Sequence, residues 1–179
     1  RNAKVTHEYG QYVKIYGTTD KNLLTALPVY GDVLAHVVGA DMTLGKGVAK
    51  QIRSQIGRPN GSSTVGVVEW FKANGVRVAN LVCKKLSSEH PEGSEQLFEY
   101  QQLLEETLAD AYLVAKHVGV KMIMPYLPGC GLDGLSPNNV GPMIEKLATK
   151  YKVPTIVIRL EEAEPKRYDD ANKQNHPCT

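Results

Sequence analysis

Cysteine is sparse in this chain. The three that occur, Cys83, Cys130 and Cys178, are an odd number at spacings that suit neither a disulfide framework nor a zinc site. With no signal-like apolar core near the first residues, a reducing intracellular setting is expected, cytoplasmic or nuclear. Long apolar runs are also lacking, and none approaches the roughly 20 residues of a membrane span, so no membrane partner is expected. Charge of one sign is missing too: 21 Lys and Arg stand against 19 Asp and Glu, a formal net charge of +2, with no basic stripe. Duplex nucleic acid is therefore not indicated as a partner. No internal repeat or low-complexity tract appears, and no cluster suggests a bound metal or cofactor. What is present, 42% hydrophobic residues over 179 positions, can bury one ordinary core.

Periodicity gives an ordered series of elements. Residues 1–10 are polar and read as a loose arm, and Val13 and Ile15 share one face of a short strand over Tyr12 to Tyr16. One or two helical turns are expected within Thr18 to Leu27. Val33 to Val38 reads as a buried strand and Val48 to Ile56 as a helix, with a turn from Arg58 to Thr64. Val65 to Phe71 and Val76 to Cys83 flank Ala73-Asn74-Gly75, a strong hairpin signal. Leu97, Tyr100, Leu104, Leu108, Ala111, Ala115 and Val118 recur at helical spacing, with Gly119 placed to cap the end. Lys121 to Met124 supplies another strand, Ser136-Pro137 opens a helix that Gly141-Pro142 should kink or restart, and Val153 to Leu160 is the last strand. Residues 161–179 turn polar and read as a surface tail. Strands alternating with helices indicate an α/β three-layer α/β/α sandwich with a mixed central sheet, spanning residues 11–160.

Two glycine loops follow strands in this series. Gly39-Ala40-Asp41-Met42-Thr43-Leu44-Gly45-Lys46-Gly47 joins a strand to a helix N-terminus, the usual ingredients of a phosphate cradle. It is not a nucleoside triphosphatase loop, because Ala40 stands where the first glycine belongs and Gly47 where the hydroxyl residue belongs. Nor is it a dinucleotide fingerprint, since no third glycine follows Gly45-Lys46-Gly47 at the required spacing. The second loop, Leu127-Pro128-Gly129-Cys130-Gly131-Leu132-Asp133, ends an apolar strand in a turn that exposes backbone N–H groups and aims one carboxylate. Both loops and Lys84 fall just after strands, on the edge of an open α/β sheet where ligands collect.

Three blocks carry a resemblance to a known family: Leu34 to Asp41 running into Leu44-Gly45-Lys46-Gly47-Val48-Ala49; Leu81-Val82-Cys83-Lys84-Lys85; and Met124-Pro125 followed by Gly129-Cys130-Gly131-Leu132-Asp133-Gly134-Leu135. In their order and spacing the chain resembles a macro domain, the ADP-ribose-binding fold, and most closely the terminal ADP-ribose protein glycohydrolase branch. The resemblance implies ADP-ribose and ADP-ribosylated proteins or derivatives as partners, with no cofactor. It implies that the loop from Gly39 through Ala40, Asp41, Gly45, Lys46 and Gly47 to Val48, and the loop from Leu127 to Leu132, straddle the diphosphate and distal ribose. Leu160 and Asp20 complete the implied contact set, Asp20 toward the adenine.

For chemistry the resemblance points to Lys84 and Asp133. A neutral amine is a nucleophile, and Lys84 attacking the anomeric carbon would expel a carboxylate and form a Schiff base, with Asp133 moving protons. The bland readings are a solvated surface lysine and a carboxylate helping the next helix start, although Ser136 already fills that role. Asp41 either orients the ribose or holds its own loop. His36, inside an apolar strand, reads as structural, and Cys130 is explained by its small size in a tight turn. Two departures from the branch stand out. Gly39 replaces a small hydroxyl residue, and Gly17-Thr18-Thr19-Asp20 places the adenine-side acid two positions late. The implied activity is mono-ADP-ribosyl hydrolysis of ester-linked protein carboxylates, with O-acetyl-ADP-ribose as a related substrate. The alternatives are an ADP-ribose 1''-phosphate phosphatase and a non-catalytic reader.

Overall fold

Seven strands form one sheet in the order β1-β2-β7-β6-β3-β5-β4. The structure, a computed structural model, describes residues 3–27 and 29–161. The strands are β1 (Ala3–Tyr9), β2 (Val13–Thr18), β3 (Val33–Gly39), β4 (Val68–Ala73), β5 (Val76–Lys84), β6 (Met122–Met124) and β7 (Thr155–Leu160). The helices are α1 (Leu23–Ala26), α2 (Gly47–Gln55), α3 (Gly93–Val118) and α4 (Pro137–Tyr151). The five inner strands run parallel, and only the edges β1 and β4 are antiparallel to their neighbours. This is the mixed sheet expected from the sequence. The polar tail expected at residues 161–179 lies, apart from Glu161, outside the described residues.

Alternation along the strands feeds two cores, one on each face of the sheet. Val33, Ala35, Ala79 and Leu81 meet Tyr100, Leu104, Leu108 and Ala111 of α3 and Val140, Ile144 and Leu147 of α4. Leu34, Val38, Val78 and Val82 face the other way, against Leu23 and Leu24 of α1 and Ile52 of α2. The result is helix, sheet and helix in three layers. Asn74 and Gly75, at φ 54° and 79°, make the tight turn of the β4–β5 hairpin, and Gly119, at φ 85°, ends α3 in the left-handed region. Among the described residues, no helix is long and apolar enough to cross a membrane.

Three local expectations need correction. Of the expected loose arm, residues 3–9 form a strand instead: Ala3–Tyr9 pairs antiparallel with β2, and the Tyr9 ring lies over Gly141, where a Cβ would come within 2.7 Å of it. An edge strand needs only one partner, so a polar segment suffices. The first strand of the hairpin begins at Val68 rather than Val65. Finally, α4 runs unbroken through Gly141-Pro142. Pro142 is exposed while Val140, Gly141, Met143 and Ile144 are buried, so packing of the apolar face outweighs the missing backbone donor.

The ladder between β3 and β6 is short, pairing Val33 with Met122 and Leu34 with Ile123 and nothing further. β6 then ends at Met124, whereas β3 continues to Gly39 and keeps its pairing with β5. The sheet therefore parts at its C-terminal edge between these two strands.

Candidate active site

A cleft of about 660 Å³ opens where the sheet parts. His36, Val37 and Val38 of β3 form part of its lining, together with residues of the β3–α2, β5–α3 and β6–α4 loops. Each loop is held from behind. In the first, Met42 and Leu44 adopt left-handed backbone, at φ 54° and 48°, while their side chains are buried in the core. Such backbone persists only where surroundings over-determine it. Arg58 supplies part of that restraint, its Nη1 donating to the carbonyls of Met42 at 3.0 Å and Thr43 at 2.6 Å. Lys46, the N-cap of α2, makes no side-chain capping bond. The first N–H groups of α2 thus lie uncapped by a side chain beside Val48 and Ala49 of the cleft wall, a local feature suited to an anion.

The first and second loops are tied together. Gly39 stands opposite Lys84 across a bulge, and the Ala40 N–H donates to the Lys84 carbonyl at 2.8 Å. Asp41 accepts from the Ser87 N–H at 3.1 to 3.2 Å and from Ser87 Oγ at 2.7 Å. Burial alone would raise the Asp41 carboxyl, but the bonds from Ser87 and Thr43 outweigh it and hold it below the ordinary value. Asp41 thus holds loops, bonded to Thr43 within its own and to Ser87 of the neighbouring one. The same packing explains Gly39: a Cβ there would meet Ser87 N at 2.4 Å and the Leu86 carbonyl carbon at 2.7 Å. A hydroxyl is still present in the cleft, brought by Ser87 from the other loop.

In the third loop, Gly129 at φ 78° is fixed by space as well as conformation, because a Cβ would meet Leu135 Cδ1 at 2.7 Å and Tyr100 at 3.0 Å. Bonds from Cys130 N to Leu127 O and from Leu135 N to Gly129 O close the turn. A Cβ on Gly131 would meet nothing within 4 Å. Leu132 is 81% exposed on the cleft rim.

Asp133 is the focus of the polar groups. Its Oδ1 lies 2.9 Å from Lys84 Nζ and 2.8 Å from His90 Nδ1, and its Oδ2 accepts from the Tyr100 hydroxyl at 2.5 Å. Burial pushes the carboxyl up; hydrogen bonds from Tyr100, His90 and Lys84, with the charge of Lys84, more than reverse this and hold it below the usual carboxylate value. Tyr100, pushed well up by burial and then by the Asp133 charge, remains a phenol and a donor. Asp133 is thus not a helper for α4, whose cap is Ser136 accepting from Asn138 N at 3.1 Å. Nor are the nearby thiols nucleophiles. Burial pushes Cys83 up to about 12 and Cys130 to about 11, leaving both protonated at neutral pH.

Of the expected contact residues, Gly39, Asp41, Gly45, Lys46, Val48, Leu127, Pro128, Gly129, Gly131 and Leu132 line the cleft with Lys84 and Asp133. Ala40, Gly47, Cys130, Leu160 and Asp20 are not part of the lining. Ala40 and Cys130 turn inward against the two cores, and Leu160 lies half exposed at a strand end. Asp20 instead organises α1, accepting from Asn22 N at 2.9 Å and Thr25 Oγ1 at 2.8 Å. His90, Tyr100, Ser87 and Arg58 were not legible as site residues; Tyr100 showed only as one member of the apolar stripe of α3. Among the described residues, no group of three or more His, Cys, Asp or Glu side chains is placed to hold a metal ion.

No family model matches the sequence. One curated relative does: over 128 residues the chain is 30% identical to ADP-ribose glycohydrolase OARD1 of Homo sapiens, covering 68% of this chain and 79% of that protein. This chain belongs to the macro domain family. Its sequence aligns it with the glycohydrolase branch. The fold agrees with solved members. The macrodomain of Mycobacterium tuberculosis DarG superposes with a TM-score of 0.60 at 18% identity, covering 84% of this chain and 99% of that one. Thermosipho africanus DarTG in complex with ADP-ribose gives a TM-score of 0.59 at 17% identity, over 95% of this chain and 46% of that one.

Proposed function

We propose that this macro domain binds ADP-ribose in the cleft between β3 and β6 and hydrolyses ADP-ribosyl esters of protein carboxylates, with O-acetyl-ADP-ribose as a related substrate. The observation that carries this reading is the contact between Lys84 Nζ and Asp133 at the mouth of a phosphate-suited loop. The diphosphate lies against the β3–α2 loop and the start of α2, and the distal ribose lies toward Asp133. Lys84 reacts as the neutral amine, one of its protons having passed to water in the cleft, beside the Asp133 carboxylate. The amine lone pair attacks the anomeric carbon as the C–O bond to the acyl group breaks, and the carboxylate leaves with that electron pair. The secondary ammonium then gives one proton, through Asp133, to the ring oxygen as the bond between that oxygen and the anomeric carbon breaks, which leaves a protonated Schiff base. Water then adds to the same carbon, its two protons pass in turn to the nitrogen with Asp133 as carrier, the lysine leaves as the ammonium, and the ADP-ribose aldehyde closes again.

The phosphatase and reader alternatives have no use for a lysine joined to the aspartate. The test is release of ADP-ribose from carboxylate-linked ADP-ribosylated protein. Wild type is expected to release it, Lys84→Ala to lose activity by at least about a hundredfold, and Asp133→Ala to fall by a similar factor, both retaining ADP-ribose binding by calorimetry. Full activity in Lys84→Ala would sink the lysine mechanism. Binding without release by wild type would identify a reader.

A further inference from the structure

Three elements converge on the Asp133 carboxylate: Lys84 from the end of β5, His90 from the β5–α3 loop and Tyr100 from α3. Their donors divide between its two oxygens. Lys84 and His90 both meet Oδ1, while among the described residues Tyr100 alone meets Oδ2. The two that meet Oδ1 line the cleft, and His90 is 43% exposed. Tyr100 is 3% exposed, belongs to the core with Leu104 and Leu135, and is not part of the cleft lining. The third loop also presses on its ring, since a Cβ on Gly129 would come within 3.0 Å of it. Of these donors, Lys84 changes during the reaction proposed above. Once its nitrogen is bonded to the anomeric carbon, the ammonium that held Oδ1 is gone. A carboxylate held weakly can turn about its Cβ–Cγ bond, a torsion with broad wells.

We infer that Tyr100 is the positioning residue of this site: its hydroxyl fixes Oδ2 of Asp133 from the core side and so keeps Oδ1 aimed at the reacting carbon while Lys84 is covalently engaged. The inference rests on the hydrolase reading above. Tyr100 touches no ligand in this role and transfers no proton. Burial and the neighbouring carboxylate charge push the phenol well above its usual value, so it donates the bond at 2.5 Å and keeps its hydrogen. A hydrogen bond to an ionised, nearly buried carboxylate is among the stronger kinds, and this one starts from a ring that packing already immobilises. The steps that depend on it are those in which Asp133 carries protons between nitrogen, ring oxygen and water. In all of them the lysine is part of the adduct, and Tyr100 is the donor whose place does not change.

Tyr100→Phe keeps the ring against Gly129 and removes only the hydroxyl. Wild type, Tyr100→Phe, Asp133→Ala and the double variant would be compared on carboxylate-linked ADP-ribosylated protein for kcat and KM, and by calorimetry for ADP-ribose affinity. Cyanoborohydride added during turnover would capture the lysine adduct, counted by intact mass with Lys84→Ala as the blank. In Tyr100→Phe, kcat is expected to fall about tenfold with KM no higher, ADP-ribose affinity to stay at the wild-type level, and the captured fraction to rise about threefold. In the Asp133→Ala background the same substitution is expected to add nothing, since the two residues act as one unit. Four results would overturn the positioning role while leaving the hydrolase standing: wild-type kcat in Tyr100→Phe, a captured fraction no higher than wild type, a full added loss beside Asp133→Ala, or loss of ADP-ribose affinity. Inactive wild type would overturn both.

Discussion

At the scale of single residues, His36 has the clearest energetic consequence. Its Nε2 lies 2.6 Å from Asn80 Oδ1, and Asn80 Nδ2 donates to the Glu69 carbonyl, so the ring donates through Nε2. Burial, opposed only by that bond, pushes it from 6.5 down to about 4. The unfolded chain therefore binds a proton that the folded chain refuses between those values. Stability associated with His36 is present above about pH 6.5 and is lost as pH falls toward 4, amounting to about 2 kcal/mol by pH 5. Urea midpoints measured from pH 7.5 to 4.5 should fall steeply for wild type, and a folded His36→Gln variant should flatten that slope. Equal slopes would show that the ring is not the titrating group. The residue was correctly read from its apolar neighbours as structural, while the hydrogen bond that fixes its tautomer came from a distant strand.

At the scale of elements, the β3–α2 loop shows what patterning reveals and what it hides. Its place between a buried strand and a helix was legible, because alternation and helical spacing are local properties. Its shape was not. Two non-glycine residues in left-handed backbone, Met42 and Leu44, are stabilised by burial and by Arg58, contacts that no local signal carries. The same distinction separates Lys84 and Asp133, found through motifs, from His90 and Tyr100, which meet Asp133 only when the β5–α3 loop and α3 are laid beside the β6–α4 loop. Asp20, expected to lie toward an adenine, accepts from Asn22 N and Thr25 Oγ1 at the start of α1, a local role that the resemblance does not signal. Arg58→Ala should loosen the loop at the cost of two partly exposed hydrogen bonds, about 1 kcal/mol. Calorimetry is expected to show ADP-ribose affinity lowered about fivefold, and unchanged affinity would mean that Met42 and Leu44 hold the loop unaided.

At the scale of the whole molecule, a ligand that binds only the folded state raises its stability by mass action, about 2.7 kcal/mol at a hundredfold excess over Kd. ADP-ribose should therefore raise the melting temperature more than ATP, NAD or AMP at equal concentration, and a larger shift with ATP would count against the proposed ligand. Coupling of this kind has a particular meaning here. The short ladder at Val33↔Met122 and Leu34↔Ile123 is the seam between two leaves, one of four strands and one of three. Beyond it the rungs stop and the cleft begins. Added rungs would strengthen the join and fill the space a ligand needs, so recognition and cohesion compete for the same gap. A guest lodged there acts as a rung the chain itself has left out.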